Sequence, residues 1–338
     1  MKVLENFSLL HHNTFAMDVK AKRFVEYQNV CELKEVLGRF GGNENRDSKK
    51  LFIGSGSNLL FTRDFDGTVF HGNISGVEVV RETDDHVLVS VGAGVVWDDF
   101  VAWCVDNNLY GAENLSLIPG EVGAAAVQNI GAYGCEASDI IESVETVDVS
   151  GLQEASFSVS QCRYAYRRSF FKENPGKYVV HHVVFRLSRK FIPNLEYKAL
   201  EKEFGECVGN FGARDIREYV TDMRKSKLPD PKIYGNAGSF FMNPIVSDSL
   251  FRELQKAYPA IPHYTADGGI KIPAAWLIQQ CGWKGKRRGN AGVYEKQPLV
   301  IINCGGAKAM EIAELSQCVI DDVRQKFNIT LKPEVQFI

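Results

Sequence analysis

Four stretches carry residue types that could do chemistry. Residues 163–169, Arg-Tyr-Ala-Tyr-Arg-Arg-Ser, interleave cations with aromatics. They read either as a solvated charged face or as an anion clamp, since a guanidinium grips carboxylate or phosphate in a planar fork. Residues 235–244, Gly-Asn-Ala-Gly-Ser-Phe-Phe-Met-Asn-Pro, set Ser239 beside glycine and two phenylalanines. Its hydroxyl could face a dry pocket, although it lacks the Gly-x-Ser-x-Gly setting of a hydrolase nucleophile. From the residues alone a capping serine is the preferred reading. Arg224, Lys225 and Lys227 precede a Pro-Asp-Pro turn at 229–231. Finally, 331–338, Leu-Lys-Pro-Glu-Val-Gln-Phe-Ile, place Glu334 in an apolar terminal segment, where desolvation would favour an acid-competent carboxyl.

Two stretches of small residues have the composition of a cradle. In 119–134, Pro-Gly-Glu-Val-Gly-Ala-Ala-Ala-Val-Gln-Asn-Ile-Gly-Ala-Tyr-Gly, the side chains are small enough for a backbone to lie against a flat ring or a phosphate. Gln128 and Asn129 add amides that could read a ring edge. The alternative is a buried helix packed closely on a neighbour. Upstream, the apolar run 51–53 enters Gly54-Ser55-Gly56-Ser57-Asn58, whose N–H groups and hydroxyls could form an anion nest. It is not the dinucleotide fingerprint, which needs a third glycine opening a helix. Together the two stretches suggest one extended cofactor, held at a pyrophosphate by the first loop and along its rings by the second.

Bulk properties narrow the field. At 338 residues the chain can bury a large core and is expected to form two or three domains. A net charge of −3 leaves no footprint for nucleic acid. No apolar run is long enough to span a bilayer, and the N-terminal segment has no apolar signal core, so a cytoplasmic protein is expected. The 8 cysteines show no metal or redox spacing, and the pairs His11-His12 and His181-His182 have no glutamate at metal-site spacing, so no metal is expected.

Hydrophobic periodicity predicts strands over 19–25, 51–53, 67–70, 77–81 and 86–91, a hairpin of 140–149 with 153–159 about Ser150-Gly151, and strands over 178–187 and 299–303. It predicts helices over 31–40, 96–107, 215–225, 247–257, 272–281 and 307–327. The polar run 41–50 reads as a loop, and the Pro229 turn as the best domain boundary.

These motifs, in this order, closely resemble the UDP-N-acetylenolpyruvoylglucosamine reductase family. The resemblance runs nearly end to end, through Asn13-Thr14-Phe15, Gly54–Asn58, Gln128-Asn129-Ile-Gly-Ala-Tyr133, Tyr166-Arg167-x-Ser169-x-Phe171, Asn236-Ala-Gly-Ser239-Phe-Phe and Pro333-Glu334-Val335. Leu195-Glu-Tyr197 resembles the longer subtype, with a mobile tyrosine over the substrate. The family implies an α+β fold of three domains. Two form an FAD-binding fold of the covalent-flavin-oxidase type, here non-covalent, as 1–70 and 71–225, with 330–338 returning to them. Residues 226–329 form an α/β substrate-binding domain.

It implies FAD against Gly54, Ser55, Gly56, Ser57, Asn58, Pro119, Gly120, Gly123, Ala124, Gln128, Asn129, Gly131, Ala132, Tyr133 and Arg224. NADPH is the hydride donor, and UDP-N-acetylglucosamine enolpyruvate binds Tyr197, Lys227, Asn243, Tyr264, Lys271 and Gln297. Arg167, Ser239 and Glu334 match the catalytic trio. The product is UDP-N-acetylmuramate for peptidoglycan, with no nucleic acid, membrane or obligate protein partner. Two residues depart from the pattern: Met242 stands where lysine is expected, and Gln336 where the longer subtype often has arginine. An oxidase with covalently bound FAD is the rival within the flavin class, and the 54–58 loop has no His or Cys to carry the bond. A non-catalytic UDP-sugar binding protein is the rival outside it.

Overall fold

The computed structural model describes residues 1–41, 49–206 and 209–338; the centre of the polar run, 42–48, lies outside the described residues. The chain divides into two compact units. One comprises Met1–Phe7, Ala21–Ser55 and Asp66–Arg224, the other Ser8–Lys20, Gly56–Phe65 and Lys225–Ile338.

The first unit contains two main sheets. In one, the strands lie in the order Lys2–Ser8, Lys20–Tyr27, Phe65–Gly72, Lys49–Ile53. The last two are parallel, with Ile53 opposite His71. Asn29 caps the helix Val30–Val36 by accepting from Glu32 N at 2.9 Å, and Glu32 accepts in return from Gln28 N at 2.8 Å. The predicted helix 31–40 keeps α geometry only to Val36; Leu37–Gly41 continue as a π turn. Two glycines in that segment weaken the α ladder.

The other sheet is antiparallel, in the order Glu154–Ser158, Ile141–Asp148, Tyr178–Ser188, His86–Gly92, Val77–Glu82. The predicted hairpin about Ser150 forms its outer pair. Helix Trp97–Asp106 places Trp97, Phe100, Val101 and Cys104 on one apolar stripe. That stripe joins Val89, Val91, Val183 and Phe185 in a single buried core, with the Phe100 and Phe185 rings 4.6 Å apart. Each such side chain contributes about 1.5–3 kcal/mol by leaving water.

In the second unit, strands Gly235–Ser239, Val300–Asn303, Ala291–Val293 and Arg287–Arg288 form a sheet. Helices Asp248–Ala257, Ala274–Gln280 and Ala309–Phe327 bury Phe251, Leu277, Leu315, Val319 and Val323 in the core that contains Ile301. A hairpin of Tyr264–Ala266 with Gly269–Lys271 pairs with Ile245–Val246. This hairpin and the strand Lys2–Ser8 are absent from the sequence expectation.

The early Asn13-Thr14-Phe15 segment is tied into this second unit. Asn13 folds back on itself through Leu9 O, Met17 O and Met17 N. Asn236 N donates to Thr14 O at 2.9 Å, and Asn303 Nδ2 to Phe15 O at 3.0 Å. Gly235 passes so close that a Cβ there would lie 2.3 Å from Phe15 O. The chain must therefore be glycine at this point.

Candidate functional site

The 54–58 loop leaves the parallel strand Lys49–Ile53 at its carboxyl end. Gly56 has φ of +70°, and a Cβ on it would sit 2.1 Å from His12 O, so only glycine fits. Ser55 Oγ is buried with no hydrogen-bond partner among the described residues. Such orphaned polar atoms are rare in folded proteins and fit a bound group that satisfies them. The loop's far end is stitched to the C-terminal segment. Asn58 Nδ2 donates to Glu334 O at 3.2 Å, and Gln336 N to Asn58 O at 3.0 Å. Strand Gln336–Phe337 then runs parallel to Leu59–Leu60.

In the 119–134 stretch a short helix is followed by a small hairpin. Val122–Gln128 form a short helix that packs closely, since a Cβ on Gly123 would meet Ala93 Cβ at 2.7 Å. Asn129 then turns left-handed, at φ of +46°, into the small hairpin Gly131–Ala132 with Cys135–Glu136. Its side chain does not face a ring edge. It is fully buried, donating to Glu136 at 2.7 Å and accepting from Ser138 N at 3.0 Å. Gln128 is half-buried and remains on the helix end.

The loop before this helix is held from outside. Leu117, itself at φ of +57°, donates its N–H to Asp98 at 2.5 Å, while its carbonyl accepts from Arg224 Nε at 3.1 Å. Asp98 is also forked by Arg217 at 2.6 and 3.0 Å. Burial alone would raise the Asp98 pKa, but Arg217, the Leu117 N–H and the Arg224 charge outweigh it and hold it low. Burial lowers the Arg224 pKa, with the Tyr133 phenol and Asp98 opposing. Arg224 thus braces Leu117 and Tyr133 from the helix Ala213–Lys227. Asp98 and Arg217 escape the sequence reading because a first-turn Asp and a helix-surface Arg are ordinary on their own.

The arginine-rich stretch splits. Arg163 and Arg168 both pair with Glu173 on an exposed face. Arg167 instead has φ of +56°, lies over the Tyr166 ring at 5.4 Å, and donates to Gly131 O at 3.2 Å. It therefore belongs with the small-residue hairpin. Tyr197 meets Tyr133 edge-on at 5.1 Å and is 40% exposed.

In the second unit, Ser239 caps no helix. It ends the strand Gly235–Ser239, opposite Val300, with an exposed side chain and Gly238 at φ of +67° before it. The capping expectation fails because this serine closes a strand. Residues 240–242 pair with 332–334: Glu334 N donates to Phe240 O at 2.8 Å and Met242 N to Lys332 O at 3.0 Å. Ser239 and Glu334 thus stand at the same end of one paired segment. Tyr264 and Lys271 are direct cross-strand partners. Asn243 Oδ1 accepts from Ala274 N at 2.9 Å, so its oxygen serves the helix start. Gln297 O accepts from Val300 N at 3.0 Å, and Lys227 is exposed at its helix end. No cluster able to hold a metal occurs among the described residues.

On this α+β scaffold the family matches define a flavin-binding protein. The FAD binding domain family matches residues 21–155, and the C-terminal domain of UDP-N-acetylenolpyruvoylglucosamine reductase matches 230–338. The UDP-N-acetylenolpyruvoylglucosamine reductase of Bacteroides fragilis is 51% identical, covering 99% of each chain. The Porphyromonas gingivalis enzyme of that name is 46% identical over 100% of both. The crystal structure of the Thermus caldophilus enzyme superposes with a TM-score of 0.69, at 21% identity, over 99% of this chain and 98% of that one. The chain belongs to the UDP-N-acetylenolpyruvoylglucosamine reductase family.

Proposed function

We infer that the chain reduces UDP-N-acetylglucosamine enolpyruvate to UDP-N-acetylmuramate with NADPH, in peptidoglycan precursor synthesis. Full-length kinship to reductases of that name supports this. Residues 54–58 take the FAD pyrophosphate, with the orphaned Ser55 hydroxyl as a donor, and 119–134 with Arg224 border its rings. Bound FAD supplies the hydride carrier between NADPH and the enol-ether double bond.

The rest is done by side chains. Addition of hydride leaves negative charge on C2 and the carboxylate of the substrate. Arg167 stabilises that charge as a cation fixed in advance. Glu334, when it carries a proton, assists as a hydrogen-bond donor, and Ser239 gives C2 its proton. The joining of 240–242 to 332–334 is the observation that carries this assignment, because it puts an exposed hydroxyl and a carboxyl on one segment. Tyr197, Lys227, Asn243, Tyr264, Lys271 and Gln297 bind the nucleotide-sugar, with 226–329 as its domain. No described helix is long and apolar enough to cross a membrane. We place the reaction in the cytoplasm, consistent with free thiols at the described cysteines.

The absorption spectrum of the purified protein, followed by NADPH oxidation with and without substrate, tests this reading. Flavin bands and substrate-dependent oxidation are expected. A colourless protein that takes up no flavin on reconstitution would leave a UDP-sugar binding protein instead.

A further inference from the structure

His71 has no place in the chemistry above, yet it occupies a charged site under the cofactor loop. It lies on strand Phe65–Gly72 opposite Ile53, the residue before Gly54. Its Nε2 is 3.3 Å from Glu121 Oε1, and its Nδ1 3.5 Å from Glu26 Oε2. Lys2 pairs with the other Glu26 oxygen at 2.6 Å. Glu121 Oε2 lies 3.0 Å from where a Cβ on Gly54 would be. Both carboxylates are buried, at 8% exposure each.

A buried carboxylate beside a loop that receives a diphosphate repels its ligand unless a cation answers it. Among the described residues, Lys2 answers Glu26 and His71 pairs with Glu121. We propose that His71 acts as an imidazolium that positions and neutralises Glu121 under Gly54, so that FAD affinity depends on its protonation. This rests on the assignment of residues 54–58 to the FAD diphosphate.

The surroundings agree. Burial alone would lower the His71 pKa, but the Glu121 hydrogen bond and the charges of Glu121 and Glu26 outweigh it and raise it. Phe24 flanks the ring at 6.1 Å, and Tyr27, on the same strand as Glu26, is kept neutral by burial. A raised histidine pKa means that the stabilisation is complete below the ordinary imidazole range and lost as pH rises through the raised value. FAD, bringing further negative charge, raises it again and so binds with uptake of a proton.

The test measures affinity of the full chain for FAD and for riboflavin, which lacks the diphosphate, across and somewhat above the imidazole range of about pH 5 to 8. FAD affinity should fall roughly tenfold as pH rises, while riboflavin affinity stays level. His71→Gln should bind FAD weakly at every pH. His71→Gln combined with Glu121→Gln should recover affinity and show no pH dependence. A level FAD profile in the parent, equal slopes for the two flavins, or a double variant as weak as His71→Gln overturns the proposal. Ser55→Ala separates the two layers. If it leaves FAD affinity unchanged, the loop assignment fails and the proposal falls with it. If it weakens FAD while His71→Gln binds like the parent, only the role of His71 is lost.

Discussion

The stretches 163–169 and 235–241 each carry one side chain with a proposed catalytic role, and they hold it by opposite means. Arg167 is fixed through its side chain, by the Gly131 carbonyl and the Tyr166 ring, on a residue whose φ is +56°. Ser239 is held through the main chain, by its place opposite Val300 and the joining of Phe240 to Glu334. A side chain held by its neighbours depends on its own shape. One held by its backbone can be changed without disturbing what positions it. On the proposed roles, the first arrangement suits a group that must meet a carboxylate in a fixed orientation, the second a small group that must move a proton.

The sharpest way to break this comparison is Ser239→Ala. The side chain is exposed and supports no cap, so stability should change by less than about 0.5 kcal/mol, as at ordinary surface positions. NADPH should still bleach the flavin. Reoxidation by substrate should slow by roughly two to four orders of magnitude, the usual cost of a lost general acid. Stopped-flow absorbance separates the two half-reactions. Turnover within a few-fold of the parent would remove Ser239 from the proton step.

Arg167→Lys tests the other arm and should have the next largest effect. Lysine keeps the charge but not the planar fork that reaches Gly131 O. A loss of roughly ten- to a hundredfold in flavin reoxidation is expected, equivalent to about 1.5–3 kcal/mol for a charged hydrogen bond. Arg168→Lys, in the pair with Glu173 on the exposed face, should leave that step unchanged. Equal losses in the two variants would show that the stretch acts as one basic patch and erase the distinction drawn between them.

That distinction was not legible in the sequence. Three arginines within six residues look alike until Glu173 takes two of them. The fold was easier to read. Helix Ala309–Phe327 and the hairpin about Ser150 follow directly from periodicity and turn residues. The hairpin of Tyr264 with Lys271 was missed although Asp267-Gly268 is the two-residue turn that favours one, because its strands of three residues show little alternation. The small residues of 119–134 were recognised, but not that Asn129 is spent inside the protein, since its partners depend on a left-handed turn. His71 gave no signal at all. Glu121 is 50 positions away in sequence, and only the sheet brings them together.

The smallest expected effect concerns Gln336, which lies on the main-chain-held side of the comparison. Its N–H binds Asn58 O at the end of the proposed pyrophosphate loop, while its side chain is exposed. A backbone-held position should accept Gln336→Arg without loss of fold. If the new cation reaches FAD, the contact is worth at most about 1.5–3 kcal/mol before desolvation and side-chain ordering are subtracted, and the net gain is far smaller. Because the position is exposed, the advantage should shrink as salt rises. The variant should therefore hold FAD more tightly at low salt than at high. Titrating parent and Gln336→Arg with FAD at both salts measures it. Equal affinities at both salts would mean that this side chain faces away from the cofactor, and that replacing arginine here by glutamine has no consequence for binding.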